Sequence, residues 1–393
     1  MRRAIVPFLV LAILLGSGLR PMPTRAEGEV VNDVPTAMVS SGVTSYTLAA
    51  PKIFWYTGVP LCPPSGPNPI ANAPQAYTET IKRIATYGSP VRNLYSEQQN
   101  CDQGQVKSNI VSDGSFLYWL GPTGLMKLST DANPGDAPQL VNALVTPPGE
   151  VADGGDKIFV IHHNTGGSST KVSYVLKSNN QNVYLATPGN YASNLKWDGS
   201  YVYYMVAGNL IRQSPGTSGV TIATGVSGYY PEGRRLLFCT INPFKCYYSN
   251  SVYVGKGRNV YVYDNLNDTL GTTPVYTSAD TTASVYEMVT DFSHLFIYEQ
   301  RTIACSPQPC FPSYSYVLER TGRGGGPAAA LYTYNPPLAL SPGPSTLRTD
   351  GTYLFWQEED RVERLPNDAT ALPQVNMYVS GLEVTQSIQD LNN

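Results

Sequence analysis

Short apolar and aromatic segments recur along this chain, and each is followed by a second short segment, often one in which apolar residues flank a Lys or Arg. Seven first segments align: residues 52–55, 116–119, 157–160, 201–204, 235–238, 294–297 and 353–356. The second segments are residues 81–84, 125–128, 172–176, 210–212, 260–263, 317–320 and 362–365. Such short runs, rich in β-branched and aromatic residues and bounded by turn residues, predict β-strands. Nothing between them has the 3.6-residue period of a long amphipathic helix.

An acidic residue followed by glycine precedes five of the first segments: Asp113-Gly114, Asp153-Gly154, Asp198-Gly199, Glu232-Gly233 and Asp350-Gly351. Asp-Gly favours a tight turn, because glycine adopts positive φ at no steric cost. The chain therefore repeats a unit of a turn, a strand, a second strand, a loop and a further apolar segment.

The period of this unit indicates how the strands are organised. The third residues of successive first segments are 64, 41, 44, 34, 59 and 59 positions apart, and four-stranded propeller blades repeat about every 40–50 residues. A seven-stranded sandwich needs only about 100 residues in total, and a solenoid would show a shorter period. We predict an all-β chain, a β-propeller of about seven four-stranded blades, with one blade more or fewer left open.

Two of the strands also resemble those of a known group. Leu117-Tyr118-Trp119-Leu120 and Leu354-Phe355-Trp356-Gln357 resemble the YWTD strand, although neither is followed by Thr-Asp. The units as a whole resemble YWTD, NHL and TolB-like propellers over residues 44–375, which implies the propeller fold and leaves the activity open. Residues 376–393 resemble the start of a module that follows such propellers in large bacterial surface or secreted proteins. They belong either to a truncated module or to a terminal tail.

The N-terminus predicts export. Arg2 and Arg3 precede a nearly uninterrupted apolar run, and Thr24-Arg25-Ala26 places small residues at the −3 and −1 positions of a cleavage site. Residues 1–26 are therefore predicted to be a signal peptide and residues 27–43 a linker, giving a secreted chain with no membrane span after cleavage. An uncleaved anchor is the alternative, but the run is short for a bilayer.

Six cysteines in an exported chain predict disulfides. They are Cys62, Cys101, Cys239, Cys246, Cys305 and Cys310. Sequence proximity favours the pairs 239–246 and 305–310, with 62–101 closing a longer loop. Fifteen connectivities are possible in principle.

The net charge of the chain limits the classes of molecule that it is expected to bind. The whole chain has a net charge of −3, and removal of the first 26 residues leaves 22 basic and 29 acidic residues. A mildly acidic chain without a basic cluster is a poor match to nucleic acid or anionic lipid. We expect a monomer that binds a protein or carbohydrate, without a cofactor or a metal.

Few residues suggest catalysis. His162 and His163 are neighbours on a strand, so they point to opposite faces and do not easily share a metal ion. Glu299 and Glu358 follow equivalent strands and are expected in solvated turns. The segment 264–268, rich in Asp and Asn, is expected to be a hairpin loop and not a calcium site.

These observations predict a non-catalytic binding or scaffold module for a protein or glycan. A polysaccharide lyase or hydrolase on the same scaffold is the alternative, and a fragment without an independent role is a third reading. An enzyme requires histidine or carboxylate groups that converge at one mouth of the channel, whereas a binding module requires only aromatic and polar loops.

Overall fold

The computed structural model describes residues 36–39, 43–49, 52–58, 76–85, 91–100, 108–145, 149–163, 170–241, 244–291, 293–303, 313–336, 345–358 and 361–368. These residues form 29 β-strands, arranged as seven antiparallel sheets. None of them forms a helix long and apolar enough to cross a membrane. The seven sheets surround a channel as the blades of a β-propeller, which confirms the predicted fold.

In each blade the strands follow one another from the channel outward. Blade 1 contains β2 (Val43–Ala49), β3 (Lys52–Gly58), β4 (Ala76–Ala85) and β5 (Arg92–Asn100), and blade 2 contains β6 (Val111–Ser112), β7 (Phe116–Gly121), β8 (Gly124–Ser129) and β9 (Gln139–Asn142). Blade 3 contains β10 (Gly149–Asp153), β11 (Lys157–His163), β12 (Thr170–Leu176) and β13 (Asn182–Ala186), and blade 4 contains β14 (Ala192–Trp197), β15 (Val202–Val206), β16 (Asn209–Gln213) and β17 (Val220–Ala223). Blade 5 contains β18 (Gly228–Ile241), β19 (Phe244–Lys256) and β20 (Asn259–Asp264), flanked by β21 (Thr269–Leu270) and β22 (Tyr276–Thr277); blade 6 contains β23 (Ser284–Thr290), β24 (His294–Ile303), β25 (Ser313–Gly322) and β26 (Ala329–Tyr334); blade 7 contains β27 (Ser345–Thr349), β28 (Tyr353–Glu358), β29 (Arg361–Pro366) and β1 (Thr36–Val39).

Blade 7 combines strands from distant parts of the sequence. Its outer strand β1 pairs antiparallel with β29, and Thr36 lies opposite Arg364. β1 falls within the segment 27–43 that the sequence suggested as a linker. Pairing β1 with β29 closes the ring, because the hydrogen bonds of one blade join the first and the last strand of the described residues.

The predicted first segments are the second strands of the blades, counted from the channel. Their third positions are aromatic and buried, for example Phe54, Tyr118 and Phe296. The prediction for blade 5 is wrong, because residues 235–238 extend the inner strand β18 instead. The equivalent second strand is β19, where Tyr253 takes the aromatic position. Residues 235–238 resemble a second strand in sequence because they form an apolar run. They belong instead to the long hairpin of β18 and β19.

Seven hydrophobic clusters correspond to the seven interfaces between neighbouring blades. On a second strand, alternate residues face opposite neighbouring blades. Phe54 thus packs against Leu117 and Trp119 of blade 2, whereas Trp55 packs against Phe355 of blade 7. Burial of apolar surface between every pair of blades stabilises the whole ring, at about 25 cal/mol per Å².

One end of the channel, which we call the turn face, carries the turns between inner and second strands that begin at Asp113, Asp198, Asp291 and Asp350. Each of these carboxylates accepts the backbone N–H groups of the residues two and three positions later. Gly114, Gly199 and Gly351 have φ between +92° and +98°, as the Asp-Gly pattern predicted. Each of these acidic residues therefore precedes its turn in the sequence and also holds the turn in shape through its carboxylate.

The acidic residue of a turn also contacts the next blade. In four of the described interfaces it approaches the residue just after that blade's third strand: Asp113 with Lys177 at 2.7 Å, Asp198 with Asn265 at 3.5 Å, Asp291 with Asn367 at 3.3 Å, and Glu232 with Arg323. The repeated acidic residue is therefore a structural element that links neighbouring blades.

Candidate functional site

The opposite end of the channel, where the inner strands begin, is the mouth face, and it contains a cavity of about 290 Å³. The cavity is formed by the starts of inner strands and by the ends of two second strands: Ser45, Ser108, Asn109, Gly149, Glu150, His163, Tyr191, Ser345, Thr346 and Gln357. Its wall therefore consists mainly of hydroxyl, amide and backbone groups, with one carboxylate, one imidazole and one phenol ring.

Hydrogen bonds between neighbouring inner strands fix this wall. The Asn109 side chain accepts the Val151 N–H and donates to the Val151 carbonyl, both at 2.7 Å. Ser45 Oγ accepts the Ile110 N–H at 3.1 Å. Since these side chains already bond to backbone, the cavity is held in shape without a ligand.

Thr346 and Asn194 occupy equivalent positions on inner strands, and both have φ of 58°. The carbonyl of each accepts a tyrosine hydroxyl from the following blade: Tyr46 bonds to Thr346 and Tyr229 to Asn194. Strand irregularities at these points interrupt the regular ladder. At these two positions the inner strands therefore turn a backbone carbonyl toward the following blade, which a regular strand would not do.

The most distinctive pair in the cavity is His163 with Tyr191. Their rings are stacked, with centroids 4.0 Å apart and an interplanar angle of 8°. His163 is only 8% exposed, whereas Tyr191 is 62% exposed. Burial lowers the pKa of His163, so the imidazole is neutral at neutral pH. The buried ring supports an exposed aromatic side chain at the edge of the cavity.

One nitrogen of the His163 ring is hydrogen-bonded. Nδ1 lies 3.0 Å from Thr170 Oγ1, which also accepts the Ala192 N–H at 3.4 Å. Nδ1 and the Thr170 hydroxyl share a hydrogen bond in which the donor depends on the tautomer of the ring. Nε2 is buried and has no hydrogen-bond partner among the described residues. One ring nitrogen of His163 is therefore unpaired within the described residues.

Glu150 supplies the only carboxylate among the lining residues. Its Oε2 accepts the Leu195 N–H of the next blade at 2.8 Å. This bond holds the side chain in place and leaves the carboxylate with further acceptor capacity. The cavity therefore brings together a carboxylate acceptor, a neutral imidazole and an aromatic surface.

The structure separates the residues that the sequence analysis considered together. His163 lines the cavity, whereas His162 lies opposite Lys171 on the other face of β11. No group of three His, Cys, Asp or Glu side chains within the described ranges is arranged to hold a metal ion. The expectation for Glu299 and Glu358 is wrong, because they are 0% and 2% exposed rather than solvated. Both face the outer strand of the preceding blade, whose tyrosines donate hydrogen bonds to them.

The segment 264–268 is a hairpin loop between β20 and β21, as predicted. Of the six cysteines, Cys62, Cys101, Cys305 and Cys310 lie outside the described residues. Cys239 and Cys246 lie directly opposite each other in the register of β18 and β19. The backbone register alone therefore suits the expected 239–246 pair, since opposite residues have the Cα spacing that a disulfide requires.

Sequence reasoning missed Asn109, Glu150 and Tyr191. They lie at the starts of inner strands or just before one, and these strands are short, irregular and partly polar. Such strands show no clear period of two, so they escaped detection. The one available signal was a polar residue between two predicted blades. Such a residue is equally expected in the wall of a cavity and in a surface loop.

No protein-family model matches the sequence, and no curated protein matches it. Among solved structures, an oligogalacturonate lyase in complex with manganese is 10% identical, with 86% of this chain and 92% of that chain covered and a TM-score of 0.48. The β-propeller domain of the Trilobed protease from Pyrococcus furiosus is 9% identical, with 88% of this chain and 100% of that chain covered and a TM-score of 0.46. At such identities the likeness concerns the fold alone. The described residues define a seven-bladed β-propeller with a polar cavity at one mouth of its channel.

Proposed function

We propose that this protein is an exported binding module that holds a sugar ring of a glycan in the cavity at the mouth face. The observation that carries the proposal is the exposed Tyr191 ring fixed over buried His163 at the edge of a polar cavity. An aromatic ring beside fixed polar groups matches a pyranose, which has an apolar C–H face and a rim of hydroxyls.

The cavity chemistry supports a ligand with both donors and acceptors. The unpaired Nε2 of His163 suits a hydroxyl, which can donate or accept, and Glu150 suits a hydroxyl donor. A buried polar atom without a partner costs about 1–3 kcal/mol, which a ligand hydroxyl would recover. A hydroxyl-rich neutral ligand satisfies both groups, whereas an anionic group would lie against Glu150.

Glycan-array binding of the full chain beginning at Glu27 tests the proposal, followed by calorimetry with the best oligosaccharide. Tyr191→Ala is expected to weaken binding at least about tenfold, because it removes the stacking surface. Tyr184→Ala is the matched control, since Tyr184 is a 51% exposed tyrosine on the outer strand β13. Equal loss in both variants, or binding to a protein and to none of the glycans, would contradict the proposal.

A second candidate is a glycan-cleaving enzyme, and one observation favours it. His163 and Glu150 line the same cavity, which is the convergence of histidine and carboxylate that catalysis requires. Incubation of the array's best oligosaccharides with the protein would reveal new reducing ends from hydrolysis or unsaturated ends from elimination. Turnover abolished in Glu150→Gln would favour the enzyme, and intact oligosaccharide after prolonged incubation would favour the binding module.

Export is part of the proposal, since the predicted signal peptide and disulfides both require it. N-terminal sequencing of the protein recovered outside the cytoplasm is expected to begin at Glu27. A mature chain that still begins with residues 1–26 would show that the segment is retained.

A further inference from the structure

A buried group of side chains lies where blade 5 meets blade 6, and it shares no residue with the cavity at the mouth face. Tyr276 of β22 contacts Glu299 of β24 and Glu319 of β25, and Ser278 and Arg301 complete the group. We call these five residues the acid–tyrosine cluster. Glu299 is fully buried and the Glu319 side chain is 12% exposed, so neither carboxyl is freely hydrated.

The distances around Tyr276 show that its hydroxyl lies within hydrogen-bond range of two carboxyl groups. The Tyr276 hydroxyl oxygen is 2.8 Å from Glu299 Oε2 and 2.9 Å from Glu319 Oε2. A phenol has one hydrogen, so it can donate to only one of the two oxygens. If both carboxyls were ionised, the other oxygen would face a phenol lone pair at hydrogen-bond distance.

The net charge of the cluster also favours one additional proton on a carboxyl. Arg301 Nε is 2.5 Å from Glu299 Oε1, and its Nη2 is 2.6 Å from Glu319 Oε1. One guanidinium with two carboxylates leaves one net negative charge in a poorly hydrated interface, which is costly. One additional proton makes the group neutral.

We propose that the acid–tyrosine cluster binds one proton at neutral pH, held on Glu319, so that the interface between blades 5 and 6 is pH-sensitive. The Glu319 O–H donates to the Tyr276 oxygen, and the Tyr276 O–H donates to Glu299 Oε2. Arg301 bonds to the remaining oxygen of each carboxyl, and Ser278 donates to Glu299 Oε1 at 3.0 Å. The hydrogens of the Glu319 carboxyl, the Tyr276 phenol and the Ser278 hydroxyl then each have an acceptor.

The surrounding groups agree with this assignment. Burial and the charge of Glu299 raise the pKa of Glu319, against the opposing effects of Tyr276 and Arg301. Asp280, in the loop after β22, is the other nearby acid, and its carboxylate bonds to Thr282 instead. A carboxyl with a raised pKa in the folded state stabilises the fold below its unfolded pKa of about 4.5. That contribution is lost as the pH rises through the folded pKa.

Infrared spectroscopy of the full chain, labelled with ¹³C-glutamate, tests the proposal directly. A protonated-carboxyl band is expected at pH 7, and Glu319→Gln should remove it. Glu287→Gln is the matched control, because Glu287 is a half-buried glutamate close to Lys196, and the band should survive that change. Absence of the band from the parent protein at pH 7 would overturn the proposal.

Thermal melting supplies an independent readout. Glu319→Gln mimics the protonated acid, so the variant should melt like the parent at pH 4.5 and at least about 2 °C higher at pH 8. The double variant Glu299→Gln with Glu319→Gln leaves Arg301 without a counter-charge and should melt lower at both pH values. A single variant that loses the same stability at pH 4.5 and at pH 8 would contradict the proton assignment.

Discussion

The two ends of the channel are built on different principles. At the turn face, one arrangement recurs from blade to blade: an acidic residue fixes its own turn and reaches the residue after the third strand of the next blade. At the mouth face, the described residues that line the cavity come from blades 7, 1, 2 and 3 and from the loop into blade 4, and they differ from blade to blade except for the backbone turn that Thr346 shares with Asn194. Both ends include buried side-chain atoms without a hydrogen-bond partner among the described residues, such as Glu232 Oε2 at the turn face and His163 Nε2 at the mouth face, so the two ends differ in repetition and not in polar satisfaction.

This difference suggests a division of roles. Contacts that recur in several blades follow from the needs of the fold, so substitution there should lower stability and leave ligand binding intact in the folded protein. Residues that depart from the repeat at the mouth face are free of that need, so substitution there should change binding more than stability.

Asp198→Ala is expected to have the largest effect on stability. The buried Asp198 carboxylate accepts the Ser200 and Tyr201 N–H groups at 2.7 Å and the Tyr203 hydroxyl at 2.6 Å. Its loss leaves these donors unpaired, and we expect a loss of about 3 kcal/mol in the free energy of unfolding. Urea denaturation measures this. Asp156→Ala, an exposed acid in the turn of blade 3, is the control and should leave the midpoint unchanged.

Lys177→Met should have the next largest effect. The Lys177 ammonium contacts Asp113 at 2.7 Å and Asp153 at 2.8 Å, and all three side chains are mostly buried. We expect a loss of about 2 kcal/mol at pH 7, since two acids are left without their cation.

The pH dependence of this variant sharpens the test. Although burial opposes it, the Lys177 and backbone N–H bonds lower the pKa of Asp113. A lowered pKa contributes stability above the unfolded value of about 3.8, and this contribution is lost as the pH falls through the folded pKa. The difference in stability between parent and variant should therefore be constant above about pH 4 and should shrink as the pH falls further. A difference that stays constant from pH 7 down to about pH 2 would rule out this electrostatic origin.

Removal of the predicted 239–246 disulfide should have a smaller effect. Residues 234–241 and 244–250 pair mainly with each other, because β20 pairs with β19 only from Ser251 onwards. Peptide mapping without reduction should recover Cys239 linked to Cys246, and replacement of both by Ser should cost about 1 kcal/mol. Recovery of Cys239 linked to any other cysteine would contradict the register-based pairing.

Tyr191→Ala should have the smallest effect on stability, under about 0.5 kcal/mol, because the ring is largely exposed. The same variant should show the largest loss of glycan binding in the series. The comparison between the two faces fails if Tyr191→Ala destabilises the fold as much as Asp198→Ala, or if Asp198→Ala abolishes binding in protein that is still folded.

The sequence predicted the fold to the level of blade number and of two strands in nearly every blade. The second strands were detectable because they are buried on both faces, so their aromatic residues recur at one position, such as Phe159 and Tyr203. Blade 5 was misread because the hairpin after Gly233 contains an apolar run that imitates this position. The cavity was not predictable, because Asn109 and Tyr191 are brought near His163 only by the packing of neighbouring blades, and no local period in the sequence records that packing.

Selective labelling of histidine tests the central claim most directly, because the chain has only three: His162, His163 and His294. His163 lies in the cavity at the mouth face, and His294 begins β24 at the turn face. Titration with the best oligosaccharide from the array, followed by ¹⁵N NMR of the imidazole rings, should move the His163 signals and leave those of His294 in place. Bound oligosaccharide that shifts His294 and leaves His163 unchanged would contradict the account.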